Sequence, residues 1–172
     1  MAIYALGELV PDIHPDAYVH PDASVIGQVT IGAETTVWPQ AVLRGDYGRI
    51  VVGARTSVQD GTVVHATEVH ATIIGNDCII GHLAHLEGCT IEDGALIGSG
   101  SVVLHDCVVG AKAVVGANAL LLDKTKVPAG ALAVGVPAQI KAGRGDASLF
   151  DFIVAGYVAN GRRYVKELRR LD

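Results

Sequence analysis

An aliphatic residue recurs every six positions along most of this chain, and that period restricts the fold more than any other feature. The series runs Ile13, Val19, Val25, Ile31, Val37, Leu43. It resumes at Val52, Val58, Val64 after three extra residues, and at Ile74, Ile80, Leu86 after four more. One residue is then dropped before Ile91, Ile97, Val103, Val109, Val115, Leu121 and Val127. Two places before these positions sits a small residue, as at Ala41, Thr62, Cys78, Ala84, Ala95 and Ala113. The place after is often glycine, as at Gly32, Gly53, Gly81 and Gly98. A helix repeats every ~3.6 residues and a lone strand every two, so neither produces a rule of six. A triangular parallel coil does. Each hexad supplies one short strand and one tight turn, and three hexads, roughly eighteen residues, close one turn of the coil. The aliphatic residue fills the interior, and the series predicts an all-β coil of about six turns.

Composition agrees. The 172 residues are 50% hydrophobic but only 5% aromatic, with 21 glycines. A core of small aliphatics with glycine-rich corners suits a repetitive β architecture. Net charge is −5 without a basic block, which argues against nucleic-acid binding. The N-terminal residues Met1 to Glu8 lack a charged leader and a long apolar run, so neither a signal peptide nor a membrane span is expected. Cys78, Cys89 and Cys107 all occupy the small place and read as inward packing residues rather than a disulfide framework. A reduced, cytoplasmic protein is the expectation.

From residue 131 the rule of six ends. Gly135-Val136-Pro137-Ala138 reads as an exit turn, and Ser148 with Asp151 three places on reads as a helix cap. Leu149, Phe152, Ile153, Tyr157, Tyr164, Leu168 and Leu171 form an apolar stripe interrupted by Gly156 and Gly161. One or two C-terminal helices lying on the coil are expected, giving a coil domain over 1–140 and a helical extension over 141–172. The basic run Arg162, Arg163, Lys166, Arg169, Arg170 reads as a solvated helix face.

Polar residues that break the repeat carry the chemistry. Arg44, Gln59, His65 and Glu87 each follow an inward aliphatic, where glycine is common. Leu43, Val64 and Leu86 stack in successive turns, so Arg44, His65 and Glu87 form one column with His65 and Glu87 about 5 Å apart. Val58 and Ile80 stack on the preceding face, which places Asp60 over His82 in a second column beside Gln59. Three prisms around a threefold axis would let the His65/Glu87 column of one copy face His82 of the next. His14, His20 and His105 have no matching partners and read as turn or surface residues. Trp38 follows an inward aliphatic and reads as packing between subunits.

The string Arg44-Gly45-Asp46, Gln59-Asp60, His65, Gly81-His82, then Leu86, Gly88 and Cys89 resembles the gamma-class carbonic anhydrase family over about residues 10 to 140. The resemblance implies a left-handed parallel β-helix, a homotrimer, and zinc or iron(II) at each interface. It implies His65 and His82 as metal ligands, Gln59 as hydrogen-bond partner of the metal-bound water, and Arg44, Asp46 and Asp60 as organisers of site and interface. The family pattern places a third histidine where Glu87 stands, and His85 lies two places before it. Either Glu87 completes a set of two histidines and one carboxylate, which suits zinc or iron(II), or His85 supplies the third donor. The implied reaction is reversible hydration of CO2 to bicarbonate by a metal-bound hydroxide. A carboxylate ligand lowers the charge at the metal, so slower chemistry near neutral pH is expected. Glu68 and His70, in the insertion after His65, are candidate proton carriers. Alternative readings are a metal-dependent hydrolase of acyl thioesters and a hexapeptide-repeat binding or scaffold protein without turnover. An acyl-CoA transferase with a histidine base is a further reading, although the long loop insertion expected of one is missing.

Overall fold

Three places before most inward aliphatics, the backbone adopts a left-handed conformation that reverses its direction within a few atoms. Glu34, Gln40, Arg55, Asp77, Leu83, Asp106, Lys112, Asn118 and Lys124 all have φ between 53° and 65° there, and Gly61, Gly88, Gly94 and Gly100 occupy equivalent places. Residues with a Cβ seldom take this conformation, so each corner is held by the ladders on either side of it. The computed structural model describes residues 2–145 and 150–172. The corners divide the chain into a left-handed parallel β-helix of about seven turns.

One face stacks Tyr18–Val19, Thr36–Val37, Ser57–Val58, Ile79–Ile80, Leu96–Ile97, Val114–Val115 and Leu132–Val134 in parallel. Another carries Val63–His65, His85–Glu87, Val102–Val103 and Leu120–Leu121. The remaining face carries Thr72–Ile74, Thr90–Ile91, Val108–Val109 and Lys126–Val127. The longer strands Ser24–Ile31 and Val42–Val52 run round a corner and join these last two faces. Close backbone approach at that bend requires glycine. A Cβ on Gly27, whose φ is +75°, would sit 2.3 Å from the Gly45 carbonyl oxygen.

The interior is a column of aliphatics, with Val25, Leu43, Val64, Leu86, Val103 and Leu121 wholly buried on one face alone. Small polar residues fit beside them because the next turn satisfies their hydroxyls. Thr56 donates to the Gly75 carbonyl at 2.8 Å, and Thr62 donates to that of Gly81 at 2.9 Å. All three cysteines are buried and free, as their place in the repeat implies.

The coil is about one turn longer than the aliphatic series indicates. Ala2–Tyr4 pairs with residues 24–26 before the rule of six begins. Ala133 carries the inward position beyond residue 131 and is fully buried, so alanine continues the coil where larger aliphatics stop. Gly135 to Ala138 then turns the chain back, and Gln139–Lys141 pairs antiparallel with Leu132–Val134. A single helix, Phe150–Glu167, runs through both Gly156 and Gly161. The expected cap at Ser148, and Leu149 of the stripe, lie outside the described residues. The helix packs on the strands Tyr18–Val19, Thr36–Val37 and Ser57–Val58. Trp38 lies beneath it rather than at a contact between copies, with its ring 5.1 Å from that of Tyr164 and 6.2 Å from that of Tyr157.

Candidate metal centre

The parallel ladder sets the site's register. Arg44 pairs with His65, and His65 with Glu87, so the three stand in one column as the repeat predicts. His65 is the centre of this column. Its Nδ1 lies 2.9 Å from Glu87 Oε1, and its Nε2 lies 3.0 Å from Asp46 Oδ1. Asp46 sits at the bend of the long strand Val42–Val52, and its other oxygen pairs with the Arg44 guanidinium. The Tyr47 ring approaches the His65 ring edge-on at 6.4 Å. Burial tends to raise the Asp46 carboxyl, but hydrogen bonds from His65 and Arg44, with the Arg44 charge, hold it below its ordinary range. Glu87 behaves alike: burial works upward, and hydrogen bonds from His65 and His85 prevail.

The second column forms one edge away. Ser57 and Val58 pair with Ile79 and Ile80, and the turn that follows brings His82 Nδ1 to 2.9 Å from Asp60 Oδ2. The His82 side chain is 53% exposed. Gln59 is buried beside this turn, in register with Trp38. The two columns lie at opposite edges of one face, because strands Val63–His65 and His85–Glu87 run between them. His82 is therefore not brought to His65 or Glu87 within one chain. Among the described residues, no group of three His, Cys, Asp or Glu side chains in one chain could hold a metal ion.

What the chain does hold fits half of such a centre. Asp46 occupies His65 Nε2 and leaves Nδ1 2.9 Å from Glu87 Oε1, and two donors of one tetrahedral zinc ion, each at about 2.0–2.2 Å from it, stand about 3.3–3.6 Å apart, so the pair would open by roughly half an ångström to admit an ion. Asp60 likewise occupies Nδ1 of His82. A ligand histidine characteristically gives its other nitrogen to a carboxylate, which fixes its tautomer and ring orientation.

The structure places His85 beside Glu87 and revises the reading of His105. His85 lies in the same strand as Glu87 and on the same side of it, and its Nε2 meets Glu87 Oε2 at 3.2 Å. His105, read as a residue without partners, has Nε2 3.7 Å from Glu87 Oε1 and Nδ1 3.6 Å from Asp123 Oδ1. It stands two places after Val103, which stacks on Leu86, so the register carried the signal. His14 and His20 do serve turns, each accepting from a backbone N–H two residues on. His70 adjoins His105 with ring centres 6.0 Å apart, at a cavity of about 330 Å³ that also includes Asp123 and Lys124, whereas Glu68 is exposed.

The bacterial transferase hexapeptide pattern (six repeats) matches at residues 71–103 and 88–123. The carnitine operon protein CaiE of Escherichia coli K12 is 39% identical over 139 residues, covering 81% of this chain and 71% of CaiE. Gamma carbonic anhydrase 1, mitochondrial, of Arabidopsis thaliana is 42% identical over 135 residues, covering 75% of this chain. The chain belongs to the gamma-class carbonic anhydrase-like family of hexapeptide-repeat proteins. It spans 49% of the length of that plant family member. Two crystal structures share nearly the whole fold at 32% identity. A Bacillus cereus protein described as a candidate acetyltransferase has a TM-score of 0.91 over 95% of this chain and 96% of its own. A hexapeptide transferase family protein of Anaplasma phagocytophilum has 0.90 over 95% and 98%. Family relatives thus carry both anhydrase and transferase names, and the side chains at the site must discriminate between the chemistries. No helix among the described residues is long and apolar enough to cross a membrane.

Proposed function

We propose that this chain is a metal-dependent, carbonic anhydrase-like lyase that interconverts CO2 and bicarbonate at a site shared between copies of a homotrimer. The observation that supports this most is the pairing of His65 Nδ1 with Glu87 Oε1 at 2.9 Å while Asp46 holds the other ring nitrogen. His65 and Glu87 of one copy, with His82 of a neighbouring copy, would hold zinc or iron(II). When bound, such an ion supplies a Lewis acid that makes water nucleophilic near neutral pH. The chain's own residues prepare the rest. Asp46 and Asp60 fix the tautomers of His65 and His82, and Arg44 neutralises the free oxygen of Asp46. Gln59, buried beside the Asp60 turn, orients the water that attacks CO2.

A second reading shares the same site. The likeness to the Bacillus cereus candidate acetyltransferase favours acyl groups as substrates, and a nucleophilic water there would hydrolyse a thioester.

Metal analysis after anaerobic purification tests the common premise. About one ion per chain is expected, with loss of most of it in Glu87→Ala. Stopped-flow CO2 hydration and thioester cleavage, run on the loaded protein, then separate the two readings. A parent protein that takes up neither zinc nor iron(II) would sink both and leave a binding or scaffold role.

A further inference from the structure

A glutamate ligand poses a problem that a histidine ligand does not. It has more rotatable bonds and two equivalent oxygens, so its useful oxygen must be held in place. In this chain the two departures from the family pattern, Glu87 and His85, meet each other. They are neighbours on one side of the strand His85–Glu87, and His85 Nε2 lies 3.2 Å from Glu87 Oε2. The oxygen that faces His65 is the other one, Oε1. We infer that His85 is a positioning residue: it holds Oε2 of Glu87 so that Oε1 is presented beside His65 Nδ1. On this assignment His85 is not itself a metal ligand.

Two further contacts support the arrangement. His105 Nε2 stands 3.7 Å from Oε1 on the side of the next turn, and the Asp123 carboxylate lies 3.6 Å from its far nitrogen. Gly88 leaves room for that ring, since a Cβ there would lie 3.0 Å from His105 Cδ2 and 2.7 Å from His70 Cβ. Glu87 is therefore bounded by imidazoles from its own strand and from the turns on both sides. On this assignment a carboxylate takes the ligand position and a histidine of the same strand fixes its orientation.

The inference rests on the metal-binding reading and is tested by affinity rather than turnover. Zinc affinity would be measured by competition with a chromophoric chelator, and cobalt(II) absorption would report the donor set. His85→Ala should weaken zinc binding about 10- to 100-fold while leaving the cobalt band position in place. His85→Gln, whose amide can still donate to Oε2, should recover most of the loss. In a Glu87→His background no carboxylate needs holding, so adding His85→Ala should cost little, and the two substitutions should be strongly non-additive. Unchanged affinity in His85→Ala overturns the positioning role alone. A shifted cobalt band, or an equal loss in both backgrounds, overturns it in favour of direct ligation or an unrelated effect. A parent protein that binds no metal overturns the proposed function and this role with it.

Discussion

Cys78 sits in the wall of the coil, where burial pushes its thiol from the ordinary 9.0 up to about 11. Its proton is donated toward the Glu92 carbonyl at 3.2 Å. Cys89 and Cys107 are pushed upward by burial as well, and Tyr18, under the helix, is raised to about 12. Each of these groups keeps its proton in the folded chain at a pH where the unfolded chain loses it. Their contribution to stability is complete below the unfolded value and declines as pH rises toward the folded one. The urea midpoint should therefore fall steadily from about pH 8.5 to 10.5, and Cys78→Ala should make that fall shallower. Thiol reagents should label the native protein slowly at neutral pH and all three cysteines quickly in urea. Residue identity alone was a good guide to these thiols, because the repeat assigns them to the interior. It was a poor guide to His105. That side chain lies two places beyond an inward valine, and its approach to Glu87 follows from the stacking of Val103 on Leu86 rather than from the residue itself.

Among the elements, the helix Phe150–Glu167 contains two glycines with opposite surroundings. Gly161 is buried, and a Cβ there would come within 2.6 Å of Thr36 Cγ2. Gly156 has nothing within 4 Å of the same position. Gly161→Val should lift the helix from the coil at a cost of about 1–3 kcal/mol, read as a red shift in emission from Trp38, the single tryptophan. Gly156→Ala should instead stabilise by up to about 1 kcal/mol through helix propensity, without moving that emission. The sequence pattern treats both glycines as interruptions of a stripe. It does not show that one of them is a contact surface, because the surface it meets is 125 residues earlier in the chain, at Thr36. For the same reason Trp38 read as a subunit contact, when its cover is the chain's own C-terminal helix.

At the scale of the whole molecule, the rule of six made the coil legible because every turn repeats one packing problem. The inward positions from Ile13 to Val127 all fall in the interior or partly packed against it. The turn count came out short where the same position is filled by alanine, and where Ala2–Tyr4 pairs without a hexad of its own. Both site columns followed from that register as well, since Asp60 over His82 and His65 beside Glu87 are consequences of parallel pairing. Side-chain orientation did not follow, so the repeat does not show that His85 Nε2 meets Glu87 Oε2. A cavity anywhere in the shared column should weaken the whole chain. Ile97→Ala, in a wholly buried position between turns, should cost about 2–5 kcal/mol in urea unfolding.

A coil made only of parallel rungs has no intrinsic length, and each end offers a template on which another coil could continue. Here the last rung of the helix-bearing face is met by its own continuation, Gln139–Lys141, running the opposite way. An incoming chain would find a reversed strand with exposed side chains, Lys141 among them, in place of the next parallel rung. The hairpin is thus a stop on that face against end-to-end growth into fibres.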